Sequence, residues 1–236
     1  MSPLTGVLGE AWDLYRRHAP HFLLLSFVIY LVLAGITALL GWAFGRFGGF
    51  LGDVLNVFGM YLLQAALVKA VQDVRDGRAD LDLRETISAV TPVLLPVTGA
   101  SILAAIVISV GFFLIIVPGL VLATFLSLIV PWIVIGGSRA MESFGRSWRT
   151  VSGYAWHVFG TYVVVFLVLI LADIIIGLIL SFLPATASGF LAEVISGTLV
   201  TPFIAAVVTL VYYRLTAAHD DAAEPGPPGA PAAERP

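Results

Sequence analysis

Cysteine is absent from this chain. That excludes disulfides, thiolate metal sites and a cysteine nucleophile. Charge is scarce as well: Asp, Glu, Lys and Arg make up 11% of the 236 residues, where soluble domains carry about a quarter. The scarcity is uneven. From Thr86 to Ser138 there is no Asp, Glu, Lys or Arg at all. As one helix that run would be roughly 80 Å long, against a bilayer hydrocarbon core of about 30 Å. It therefore reads as two membrane spans folded back at Pro118-Gly119. A formal net charge of -3 with scattered basic residues gives no nucleic-acid footprint.

What is present is apolar. Hydrophobic residues form 59% of the chain and the mean hydropathy is +1.01. The expected fold class is all-α: a polytopic integral membrane protein with six transmembrane helices and amphipathic interfacial helices. The spans are expected at about residues 22–43, 51–70, 93–117, 120–135, 158–183 and 194–213. This six-span domain fills residues 1–216. From Ala217 to Pro236 the chain is rich in Ala, Pro, Gly and acid and is expected to be a disordered tail. No cleavable signal peptide is expected, because the first apolar run starts only at Phe22 and follows Glu10 and Asp13.

Between the apolar runs lie amphipathic segments. Leu4, Val7, Leu8, Ala11, Trp12 and Tyr15 share one helical face, with Glu10, Asp13, Arg16 and Arg17 off it. A helix with Trp and Tyr on its apolar side suits the membrane interface. Ser138 to Val151 repeats the arrangement. Met141, Phe144, Trp148 and Val151 fall on one face and Arg139, Glu142, Arg146 and Arg149 fall off it. Asp82 to Glu85 has a capping-box-like spacing and opens a short helix with Leu83, Ile87 and Val90 on one side. An interfacial helix thus precedes each pair of spans, which reads as a degenerate threefold repeat. The competing reading is that cytoplasmic connectors are often amphipathic.

Orientation follows from the basic residues. With the N-terminus inside, all 12 Lys and Arg except Arg46 fall on the cytoplasmic side. The expected location is the cell (cytoplasmic) membrane, multi-pass, with both termini cytoplasmic.

The segment from Val117 to Gly160 resembles the membrane domain attached to some bacterial glycerophosphoryl diester phosphodiesterases, a domain also found alone. The residues that carry the resemblance are Pro118-Gly119, an apolar span with Pro131, Ser138 to Trp148-Arg149, then Gly153 and Trp156. Trp12, Tyr15, Arg16 and Phe22 look similar to that family's N-terminal arrangement. The resemblance implies a stand-alone membrane module and supplies no catalytic residues. A phosphodiesterase barrel of roughly 250 residues has no room here.

Candidate chemistry is confined to a few polar residues. Asp173 interrupts the fifth span at a depth of roughly 15 Å, where an unpaired carboxylate costs about 3 kcal/mol or more. Asp53, Asn56 and Gln64 form one stripe in the second span, and Arg46 stands close by in sequence. These five residues are the candidate intramembrane polar cluster, structural or part of a small transporter or channel. Two intramembrane aspartates also invite a protease reading, but neither has the sequence context of such enzymes. His18, His21 and His157 read as interfacial anchors rather than metal ligands. Gly41-x-x-x-Gly45 is a weak helix-packing signal. Arg139, Arg146, Trp148 and Arg149 are candidate contacts for anionic lipid head groups. The expected function is a non-enzymatic membrane module associated with lipid or a partner membrane protein, without metal, cofactor or nucleic acid.

Overall fold

The computed structural model describes residues 3–77 and 83–223. Among the described residues it is entirely helical. The order is α1 (Val7–Arg17), α2 (Ala19–Arg75), α3 (Leu83–Leu114), α4 (Ile116–Phe125), α5 (Ile129–Val134), α6 (Ala140–Val151), α7 (Ala155–Leu180) and α8 (Ala185–Ala223). Among the described residues, five helical stretches are long and apolar enough to cross a membrane: Ala19–Arg75, Glu85–Leu114, Ile116–Val134, Ala155–Leu180 and Val194–Asp220.

The first of these is not one straight rod. Gly45 has φ 57° and ψ −135°, a conformation that side chains other than glycine avoid. The chain reverses there into two antiparallel arms, residues 19–44 and 46–75. Thr37 Oγ1 reaches the carbonyl of Gly52 at 3.5 Å, and Gly59 packs directly on Leu33. In an unbroken helix Leu33 and Gly59 would stand about 39 Å apart. The connection between the spans expected at about 22–43 and 51–70 is thus a single-residue turn. Gly48 and Gly52 are helical, and they let the arms meet: a Cβ on Gly52 would sit 2.8 Å from Thr37 Cγ2. Gly41 meets nothing within 4 Å, so the Gly41–Gly45 spacing is not a packing motif.

The second hairpin turns at Ile115 (φ −159°, ψ 148°), three residues before the expected Pro118-Gly119. Pro118 lies in the first turn of α4, where a missing N–H removes no helical bond. Gly119 packs instead on the ring of Phe112 and beside Gly111. The short helix expected before residue 93 is continuous with its span: α3 runs straight through Pro92 and Pro96. Ser88 and Thr91 hydroxyls bond the Glu85 and Ile87 carbonyls of the preceding turn, at 2.8 Å each. Asp82 lies outside the described residues. The span expected at 120–135 is two helices broken at residues 126–128. At the C-terminus α8 continues through Ala223, past the expected boundary at residue 216. Residues 224–236 lie outside the described ones.

The buried core gathers where α2 begins and ends. Phe22, Leu63, Leu67, Val71, Val90, Leu128, Ile133, Leu210 and Leu215 are each at most 2% exposed. Toward the hairpin turns the helices are uncovered: Trp42, Phe113 and Phe182 are 86%, 91% and 93% exposed. In α7 only Val158 and Val165 are buried. An outside this apolar is compatible with lipid as its solvent.

Candidate functional site

α6 follows α5 after Gly137, whose φ of 61° glycine adopts without strain. Its inward face is only partly the one its hydrophobic pattern indicates: Val151 is buried and Phe144 packs against the core. Met141 is 72% exposed and Trp148 42%. The buried residues are Ser143, Ser147, Thr150 and Val151, so most of the inward stripe is hydroxylic. The reason lies in what it packs against. The α4–α5 break leaves backbone groups without helical partners, and these need partners when buried away from water. Ser147 Oγ donates to the Phe125 carbonyl at 2.6 Å and accepts from the Leu128 N–H at 3.2 Å. One turn on, Thr150 Oγ1 accepts from Trp132 Nε1 at 3.1 Å. The expected apolar face is therefore corrected in part: Phe144 and Val151 turn inward, Met141 and Trp148 stay exposed, and the hydroxyls join α6 to the break.

The four candidate head-group residues divide by environment. Arg146 is committed to the protein. Its Nε lies 2.7 Å from Glu142 Oε1, and its guanidinium lies 5.0 Å from the Trp132 ring centre. The hydrogen bond and charge of Arg146 hold the Glu142 carboxyl below its usual range. Arg139 and Arg149 are exposed and form no salt bridge among the described residues; Arg149 Nε donates to the Gly145 carbonyl of its own helix at 3.2 Å, and Arg139 adds to the lowering of Glu142. Trp148 stacks on Phe125 with ring centres 4.2 Å apart. Phe125 in turn lines an apolar cleft of about 360 Å³ between α4 and the start of α7, with Val121, Trp156 and Phe159.

Other basic residues at this end of the bundle are largely occupied. Arg16 lies 3.5 Å from Asp13 and Lys69 lies 2.9 Å from Asp73. Arg75 covers the Tyr213 ring at 4.1 Å. Arg214 pairs with Glu10 and donates to the Thr5 carbonyl at 2.6 Å. That grip fixes α1 against α8, together with Tyr15 Oη to the Leu199 carbonyl at 3.1 Å. Burial there raises the Tyr15 hydroxyl above its ordinary pKa.

The five residues of the candidate polar cluster do not converge. Arg46 and Asp53 are exposed, and among the described residues no ion pair joins Arg46 to either aspartate. Asp173 is exposed and accepts a hydrogen bond from Ser196. Asn56 Oδ1 is buried with no hydrogen-bond partner among the described residues. Gln64 alone of the five lines a cavity described here. The sequence reading missed the Ser143–Ser147–Thr150 stripe, although hydroxyls at i, i+4 and i+7 are a legible signal. It also missed Tyr30, whose hydroxyl lies 3.1 Å from Thr201 Oγ1.

These features define an all-α protein with the apolar helices of a membrane protein. The chain belongs to the family described as Domain of unknown function (DUF7847), whose model matches residues 14–219. No curated protein and no solved structure matches it.

Proposed function

We propose that this chain is a non-enzymatic integral membrane module that holds anionic lipid head groups on the outward face of α6. The observation that carries the reading is that Arg139 and Arg149 are exposed beside the half-exposed Trp148 and form no salt bridge among the described residues, while Arg146 is tied to Glu142. Cations beside an anionic leaflet gain roughly 1 kcal/mol each, and a ring with one polar edge suits the interface. The apolar cleft next to Trp148 offers an acyl chain a matching surface.

In this reading the chain crosses the membrane six times, because the arms of α2 count as two crossings. Both termini then lie on the cytoplasmic side of the cell membrane. The gathering of Arg75, Arg214, Glu10 and Tyr213 at one end, with Arg46 at the α2 turn, supports that orientation. The threefold repeat belongs to the same proposal. α1 packs on α8, and α6 packs on α5, so each of these amphipathic helices sits on the second span of the unit before it, taken cyclically. The resemblance to the phosphodiesterase-associated membrane domain agrees with a stand-alone module and adds no activity. A transporter or channel working through Asp53 and Asp173 draws no support from the geometry, since neither residue lines a cavity described here.

The test is the lipid that co-purifies. The double variant Arg139→Gln/Arg149→Gln should lose anionic phospholipid relative to zwitterionic phospholipid. An unchanged ratio would remove the proposal.

A further inference from the structure

Two cavities, of about 250 and 300 Å³, flank the second arm of α2 and share two lining residues, Tyr61 and Gln64. One lies against α3 and the α4–α5 break, with Ser101 and Ser127 on its walls. The other lies between the two arms and α8, with Tyr30 and Thr201 on its walls. Gly197 lets the Tyr30 ring approach α8, since a Cβ there would collide with that ring.

Gln64 sits eleven residues before Arg75, the end of its arm, or about 16 Å along the helix. That is near the middle of a hydrocarbon core of about 30 Å. Its neighbours Leu63, Ala65, Ala66, Leu67 and Val68 are all buried. Neither the Gln64 amide nor the Tyr61 hydroxyl has a hydrogen-bond partner among the described residues. A polar group at such depth is costly unless something bonds it. No charged side chain lines either cavity, so an ion entering there would meet no counter-charge. An amide and a phenol each donate and accept, so they match a ligand that does both.

We propose that Tyr61 and Gln64 form a hydrated binding site, within the membrane interior, for a small uncharged molecule of the polyol class. The site is separate from the head-group face of α6 and uses neither Asp53 nor Asp173. Its role would be recognition: Gln64 stands between the two cavities and offers its amide to both.

The natural absence of cysteine gives a direct test. A neutral, membrane-permeant maleimide reacts with the thiolate, which forms where water can solvate it. In proteoliposomes, Gln64→Cys should label about tenfold or more faster than lipid-facing Phe166→Cys or packed Leu67→Cys. Glycerol should slow that labelling roughly twofold once half the sites are filled. The rate is taken relative to Arg46→Cys under the same conditions, which removes viscosity effects. Ser101→Cys, a near-isosteric change on the far wall, should behave in the same way and keeps the test open if Gln64→Cys does not fold. Labelling at the control rates would overturn the proposal, and so would fast labelling that glycerol leaves unchanged. Neither outcome bears on lipid retention by α6.

Discussion

Ser147 of α6 donates a 2.6 Å hydrogen bond to the carbonyl oxygen of Phe125, the last residue of α4. The same hydroxyl accepts from the Leu128 N–H. One small side chain thus satisfies both sides of the break between α4 and α5, and it anchors the helix that carries Arg139 and Arg149. Ser147→Val removes the donor and the acceptor from a site that is fully buried. The expected cost is about 1–3 kcal/mol, read as a lower unfolding midpoint in detergent. Ser152→Val, on an exposed hydroxyl of the same region, should change the midpoint little.

Gly45 makes a second local prediction. Its backbone lies where a Cβ is strained, although the space around it is open. Gly45→Ala should therefore destabilise the protein by roughly 1–3 kcal/mol through strain alone. Gly41→Ala, one turn earlier and also in open space, should be neutral or slightly stabilising. Unfolding of the two variants side by side checks this.

The N-terminal helix depends on a distant cation. Arg214 holds Glu10 and the carbonyls of Pro3 and Thr5. Its side chain is about a third exposed, so the pair is worth only about 1 kcal/mol. Arg214→Gln should raise hydrogen exchange across residues 7–17 while leaving the buried stretch 63–71 protected. Equal loss of protection in both places would show that α1 is not a separable element.

Acid should loosen α6. The Glu142 carboxyl titrates below its usual range because Arg146 bonds it and lies beside it. The stability it contributes is present above the unfolded-state carboxylate pKa and is lost as pH falls through the lowered folded-state value. Glu142→Gln should flatten the pH dependence of unfolding in that acidic window and leave neutral pH nearly unchanged. Because the carboxyl is exposed, the effect is a shallow slope rather than a transition.

The hairpins were largely legible because they follow from charge. The charge-free stretch from Thr86 to Ser138 forces a fold-back, and Gly45 and Ile115 sit close to the turns that hydropathy alone suggests. The inward face of α6 was not legible in the same way. Periodicity assumes that apolar residues seek the core, but Met141 is exposed and Trp148 stacks on Phe125 at the surface, while Ser147 and Thr150 find unpaired backbone and an indole N–H inside. The polar stripe failed for a related reason. Asp53 and Gln64 share a helix face in sequence, yet the packing around the second arm of α2 is uneven along its length. It encloses Gln64 between cavities and leaves Asp53 exposed. The contact between Glu10 and Arg214 links opposite ends of the chain, and no local pattern announces it.

The most direct measurement is native mass spectrometry of the purified protein during titration with anionic and zwitterionic phospholipids. The account predicts preferential anionic adducts on the wild type. In Arg139→Gln/Arg149→Gln the anionic affinity should fall roughly 30-fold, from two cations at about 1 kcal/mol each. Arg16→Gln, which removes a cation already beside Asp13, should change it little. Equal anionic binding in all three proteins would contradict the account.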